Sequence, residues 1–534
     1  MKIGINASWM TPGMAGGMEW YVRNLIDQLG ALDQDNDYVL VTGPNNYKTF
    51  KLPSSRWKMV VYFGHENSPM TYRVSPDVPA RASQPFALLH QFHRRLRYLH
   101  IKDWKGKFAD LIAGEGIDLW FCPIIYALPV DTSVPVVVTI PDLQHEHYPA
   151  FFHEDELALR IMGYQYSCQA ATAVIGISRY VSDEIVKLYA VDAAKVFATP
   201  LALDQSYQIS KEEIERLVNE VKLKFRLDKD FIFYPANGWH HKNHENLVRA
   251  MDIIHRKKCQ LGLILTGCEF DVMNRLRPLL NRPSLREAVR HLGYIDRQDL
   301  FGLYAASKML VFPSFFEGFG LPLLEAMQFN VPVACSNLGS LREVGGDAVW
   351  YFDPRSPQDI AEAILRVSYD QDLRGQLIAA GRNRVKCFSY SNTARHTLSI
   401  FGQIRDGILT PPDLPSFRPL IAHNWLREGH SRWYFHANSL REVRIEVIQP
   451  TLLDALEDQT VKVILDGQKV LESAIVPQRV YRFTLPAHGT VEAGFHELDI
   501  SASATVSVGG EILSIQVPSI TLSDSSGREL RLIK

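Results

Sequence analysis

Apolar and polar positions alternate between two rhythms over roughly the first 408 residues. Short, mostly apolar runs are followed by stretches with apolar residues three and four apart, the spacing of an amphipathic helix. The apolar runs fall at 2–8, 37–43, 57–64, 117–123, 134–140, 173–178 and 196–202. They resume at 231, 261–267, 289–295, 309–314, 331–336 and 348–352. Each reads as a parallel strand buried on both faces, which needs no alternation of its own. Among the intervening helices, 19–29 gathers Tyr21, Val22, Leu25, Ile26 and Leu29 on one side, and 243–251 turns Leu247 and Ala250 inward. A charged helical stretch at 210–225 bridges the two halves. Helices through Val367, Ala379 and Ile400 close the second set, and the last is expected to cross back to the first half. The pattern predicts an α/β chain with two doubly wound parallel sheets, whose ligands bind beyond the carboxyl ends of the strands.

The rhythm breaks at TPPDLPSFRP, a proline-rich linker. From about Ser431 short alternating strands with Gly, Asp and Pro turns predict an all-β sandwich or jelly roll. The expected domains are residues 1–205, residues 206–408, a linker at 409–419 and a β domain at 420–534. Trp433, Tyr434, Tyr481 and Phe483 of that last domain would serve as a sugar-stacking platform, as a dimer contact or, first of all, as core.

Composition narrows the class. A hydrophobic content of 46% is that of an ordinary globular enzyme. A formal net charge of -2 gives no overall attraction to nucleic acid, so no nucleic-acid partner is expected. Six cysteines without paired metal spacing read as reduced thiols of a cytoplasmic protein. MKIGINASWM passes directly into a strand, without a signal peptide, and no window approaches the ~20 apolar residues of a membrane span. One segment stands apart. Residues 86–108 interleave Arg94, Arg95, Arg97, Lys102, Lys105 and Lys107 with Phe92, Leu96, Tyr98 and Trp104, which suits an anionic membrane surface or a solvated outer helix.

The chemistry concentrates in MLVFPSFFEGFGLPLLE, residues 309–325. A buried strand gives way to a loop in which Gly318 and Gly320 admit a close ligand, then to a helix with Pro322 in its first turn. Such a junction aims backbone amides and a positive helix end at a phosphate. Glu317 and Glu325 frame it, and carboxylates suit the hydroxyls of a sugar and a ribose. In the first half GMAGG precedes the first helix as a glycine turn, and Lys242 stands just before the helix at 243, where a cation can meet a diphosphate. His145, Glu146 and His147, with His153 nearby, could suggest a metal cluster. Adjacent residues seldom face one ion, so they read as loop histidines and no metal site is expected.

Glu317 and Glu325, separated by seven residues in EGFGLPLLE, together with VPVACSNLGSLREVGGDAVWYFDP, resemble retaining glycosyltransferases of the GT-B fold, the family-4 or group 1 type. The resemblance covers about three quarters of the chain and implies two Rossmann-like domains facing a cleft. It implies that Glu317 contacts the donor sugar, Glu325 the ribose, and Lys242 with the backbone of Gly318, Phe319, Gly320 and Leu321 the diphosphate. Gly16 and Gly17 would lie against the donor phosphates and acceptor. The family's His-Asp pair falls on Pro141 and Asp142, so the histidine is missing, with His145 as a candidate substitute. Asn237 occupies the place of a family arginine. Ser178 resembles a position near the interdomain cleft, or is a helix N-cap.

The resemblance implies a metal-independent hexosyl transfer from GDP-mannose or a UDP-sugar to a polysaccharide or lipid-linked glycan, with no cofactor. It also implies work at the inner face of the plasma membrane, and leaves a homo-oligomer open. The alternatives are a nucleotide-sugar epimerase or phosphorylase of the same fold, or a non-catalytic carbohydrate-binding scaffold.

Overall fold

The computed structural model describes residues 1–13, 16–62, 108–124, 134–152, 154–268 and 272–412, and the backbone of the strands beyond them. The basic segment expected to meet a membrane therefore lies outside the described residues, except for buried Phe108.

The first apolar runs form β1 (Lys2–Asn6), β2 (Asp37–Thr42), β3 (Trp57–Val61), β4 (Leu119–Cys122), β5 (Val136–Ile140), β6 (Ala173–Gly176) and β7 (Val196–Ala198). They pair in the order β3-β2-β1-β4-β5-β6-β7, all parallel. Successive residues of a strand point to opposite faces, which is why the central strands, such as LWFC and AVIG, are apolar on both sides while the edge strand WKMVV carries an exposed Lys58. Leu40, Phe121, Val137 and Ile175 enter one core, while their neighbours Val39, Trp120, Val138 and Val174 enter another on the far side.

The second sheet is built from β8 (Phe231–Pro235), β9 (Gly262–Thr266), β10 (Val289–His291), β11 (Met309–Phe312), β12 (Val333–Ser336) and β13 (Val349–Phe352). Its order is β10-β9-β8-β11-β12-β13, again all parallel. Chain order reverses between β8 and β11, and a doubly wound sheet opens its ligand crevice at such a reversal.

The expected return to the first domain takes place. The helix Tyr390–Arg405, capped by Ser389, lies against the helix Gly17–Leu32. Phe401 meets Phe121 edge-on at 5.5 Å, and the Thr393 hydroxyl donates to the Pro200 carbonyl at 2.6 Å. Beyond the linker the strands pair antiparallel: His430–Ala437 with Gly494–Ala502, and Glu442–Ile448 with both Val480–Pro486 and Glu511–Ser523. The side chains of Trp433, Tyr434, Tyr481 and Phe483 lie outside the described residues.

Candidate active site

The two strands at the reversal carry the chemistry. β8 leads into a turn at His240–Lys242 and the helix His244–Arg256; β11 leads into a loop and the helix Leu321–Gln328. Asn243, in the left-handed conformation at φ 58°, spends its side-chain amide on the Pro313 and Pro354 carbonyls, at 3.0 and 2.7 Å. The Phe315 amide donates to the His241 carbonyl at 2.7 Å. These bonds tie the two loops together and bring Lys242 Nζ to 2.6 Å from Glu317 Oε1. Both side chains are largely enclosed, 18% and 12% exposed, so the pair is less screened than a surface one. Below it the Ser340 hydroxyl donates to the carbonyls of Glu317 and Phe319, at 2.7 and 3.1 Å.

Glu325 is held by two tyrosines, one of them 118 residues away along the chain. The Tyr207 and Tyr304 hydroxyls each donate to one of its oxygens at 2.5 Å. Burial pushes its carboxyl above the ordinary range, while the two hydroxyls and the Arg297 guanidinium pull it back. A carboxylate has about four lone-pair sites, so two remain for a ligand's hydroxyls. Arg297 in turn pairs with Asp204 and stacks over Trp20 at 4.3 Å, anchoring this corner to the first domain.

That domain closes over the loop at very short range. A Cβ on Gly318 would lie 1.8 Å from the Pro141 carbonyl oxygen and 3.1 Å from Asp142 Cβ. The Ser178 hydroxyl donates to the Gly318 carbonyl at 2.8 Å, while also accepting from the Val181 amide as the cap of its own helix. Gly16 takes a positive φ of 54° at the start of the first helix, and a Cβ on Gly17 would lie 3.3 Å from Leu321 Cδ1. Asp142 accepts from the Gln144 amide, and burial raises its carboxyl. Gly320, at φ 111°, starts the helix that carries Glu325.

Not every expected residue joins this group. His145 does not. It is fully buried, its Nε2 lies 3.1 Å from the Tyr189 hydroxyl, and its ring packs edge-on against Tyr164 at 4.4 Å. Burial pushes its pKa down to about 3, so it is a neutral core residue and does not replace the missing histidine. The short helix Gln144–His147 turns His147 the other way, to 2.8 Å from Glu184 and against the Phe316 ring at 4.9 Å. Phe319 contributes its backbone alone, since its ring is buried edge-on against Phe388. Asn237 accepts from the Cys268 amide at 2.8 Å and links the ends of β8 and β9. Tyr207, Tyr304, Arg297 and Ser340 had no local sequence signal, since each is an ordinary residue until the fold delivers it.

Two parallel α/β domains enclosing a crevice with a lysine–glutamate pair at the strand reversal are the framework of GT-B enzymes. Solved structures share this fold over most of the chain. A sucrose-phosphate synthase from Thermosynechococcus elongatus superposes with a TM-score of 0.56 at 22% identity, covering 76% of this chain and 100% of that one. Anabaena HepE in complex with UDP and glucose gives 0.54 at 16%, covering 76% and 100%.

Residues 216–384 match the family described as glycosyl transferases group 1, and residues 15–207 match glycosyltransferase family 4. The O-antigen chain mannosyltransferase B of Escherichia coli is 32% identical over 267 residues, 50% of this chain and 69% of that protein. The serotype-specific mannosyltransferase WbdA of Escherichia coli is 28% identical over 273 residues, 50% of this chain but only 32% of its own length. The chain belongs to the group 1 glycosyltransferases.

Proposed function

We propose that this chain is a retaining mannosyltransferase that moves a hexose from a nucleotide diphosphate sugar, GDP-mannose in the first instance, to a polysaccharide or lipid-linked glycan. The observation that carries the reading is the enclosed Lys242–Glu317 pair at the β8/β11 reversal, with Glu325 following inside the next helix. Lys242 and the backbone of Gly318 to Leu321 would take the charge of the leaving diphosphate, the electrostatic contribution that usually dominates such sites. Glu317 would steady the positive charge that develops on the sugar, and Glu325 would accept the ribose hydroxyls with its two unused lone pairs. In the transfer the bond from the anomeric carbon to phosphate oxygen breaks and a bond to the acceptor oxygen forms on the same face. The acceptor's proton passes to the departing phosphate. With the charge met by Lys242 and backbone amides, transfer should proceed in EDTA.

Mannosyltransferase relatives favour mannose as the sugar. Asp142, whose Cβ would stand 3.1 Å from a Cβ on Gly318 across the cleft, would border the reacting sugar. Residues 86–108 would bring the enzyme to an anionic inner membrane surface, which a vesicle sedimentation assay checks. Calorimetric titration with GDP, UDP and ADP identifies the nucleotide, and product analysis with labelled GDP-mannose reads the configuration. Retained nucleotide binding with neither transfer nor hydrolysis of any donor sugar would sink the enzymatic reading and favour a binding scaffold.

A further inference from the structure

A helix begins with amides that have no partner inside it. In the helix Arg179–Tyr189 of the first domain, the Ser182 amide makes the first bond of the helical ladder, to the Ser178 carbonyl, and among the three helical amides before it that of Val181 goes to the Ser178 hydroxyl, each at 3.1 Å. The other two are satisfied from across the cleft. Arg179 N donates to Glu343 Oε1 and Tyr180 N to Glu343 Oε2, both at 2.9 Å. A carboxylate gripping two amides at a helix start combines charge-assisted hydrogen bonds with the favourable end of the helix dipole.

Glu343 is held firmly on its own side. It sits in the helix Ser340–Gly345, and Arg384 donates to the backbone carbonyls of both Glu343 and Val344, the latter at 2.9 Å. Gly339, at φ 57°, leaves room for the Tyr180 ring, which would stand 3.3 Å from a Cβ there. The same short helix starts at Ser340, whose hydroxyl braces the Glu317 and Phe319 carbonyls from below. Ser178, at the other end of the contact, donates to Gly318 between them. The docked carboxylate and the loop carrying Glu317 are thus joined on both sides of the cleft.

We propose that Glu343 is a positioning residue for transfer. Its carboxylate, seated on the first two amides of the facing helix, sets the register in which the domains close and holds the Glu317 loop through Ser340. The kinetic part of this inference rests on the transferase reading; the docking itself does not. The test compares the intact wild-type chain with Glu343→Ala and the near-isosteric Glu343→Gln. Hydrogen exchange at the Arg179 and Tyr180 amides should rise about tenfold or more in the alanine variant. kcat should fall about tenfold while nucleotide Kd stays within twofold, since Lys242, Glu325 and the Glu317 loop keep their bonds within the second domain.

Added formate separates a tether from a simple cap. It can refill the helix end of Glu343→Ala and restore amide protection, but it does not connect the domains, so turnover should stay low. Turnover restored by formate would overturn the inference, as would unchanged exchange at the two amides or an unchanged kcat. Glu343→Gln, which keeps one acceptor, should fall between the other two in both readouts. A wild-type chain that transfers no sugar would defeat the transferase reading, and the exchange comparison would still decide the docking.

Discussion

Replacing Gly318 by alanine adds one methyl group where two domains meet. Real Cβ atoms essentially never approach another heavy atom closer than 3.0 Å, yet this one would begin 1.8 Å from the Pro141 carbonyl oxygen. Neither side has a flexible tip to yield. The obstacle is backbone on one side, and the Gly318 carbonyl is pinned by Ser178 on the other. The loops must therefore part by more than an ångström, moving Pro141 and Asp142 away from Glu317. Misplacement of that size costs about 100-fold in rate at a reacting centre. Overpacking typically costs ~1–3 kcal/mol, so the melting temperature should fall by only a few degrees.

The assay is donor turnover by Gly318→Ala, with melting temperature and nucleotide affinity measured in parallel. Gly375→Ala serves as the control, because a Cβ there meets nothing within 4 Å and lies inside the helix Gln371–Val385. That change should leave turnover alone and add about 0.5–1 kcal/mol of stability. Gly318→Ala with wild-type turnover and an unshifted melting temperature would refute the close approach of the two domains in the working protein.

Three other outcomes are expected. Lys242→Ala leaves Glu317 enclosed without its 2.6 Å partner; it should cost about 1–3 kcal/mol of stability and weaken nucleotide binding, read by denaturant titration and calorimetry. Nucleotide affinity should decline on acidification at a higher pH than the ordinary 4.5 of a glutamate, because Glu325's carboxyl is raised by burial and must be ionised to accept two hydroxyls; Glu325→Gln should flatten that profile. His145 and His244 are both depressed by burial from 6.5 to about 3, so the unfolded chain binds their protons first. Their contribution is complete above about pH 6.5 and lost as pH falls toward 3, by about 1.4 kcal/mol per unit for each group. Melting temperatures from pH 7 to pH 4 should show this loss, and it should lessen in a folded His145→Phe variant.

What the sequence revealed and what it concealed divide along a physical line. The strands of both sheets were legible because a strand covered on two faces is apolar at most of its positions, with polar residues left to the ends and the edge strands. Lys242, Glu317 and Glu325 were legible because each belongs to a strand–loop–helix junction visible locally, Lys242 just before one helix and the two glutamates about a glycine loop and its helix 75 residues further on. Tyr207 and Glu343 were not. Tyr207 reaches its partner across 118 residues of chain, and the Glu343 contact with the Tyr180 amide spans 163. His145 misled because its place soon after Asp142 suggested a substitute for the missing histidine, whereas the short helix Gln144–His147 turns it into the core. Arg297 was invisible for another reason: its partners, Asp204 and Trp20, belong to different elements that only folding assembles.

The return of the helix Tyr390–Arg405 bears on how the protein can be made and divided. Ile400, Phe401 and Ile404 lie in the same core as Ile3, Leu25 and Phe121. A truncated product ending near residue 205 would leave the ribosome with an uncovered greasy strip and a tendency to clump. Genetic dissection of the two lobes should therefore graft 386–408 onto the amino-terminal fragment through a flexible tether, because the start of this chain is completed by a segment translated almost two hundred codons later.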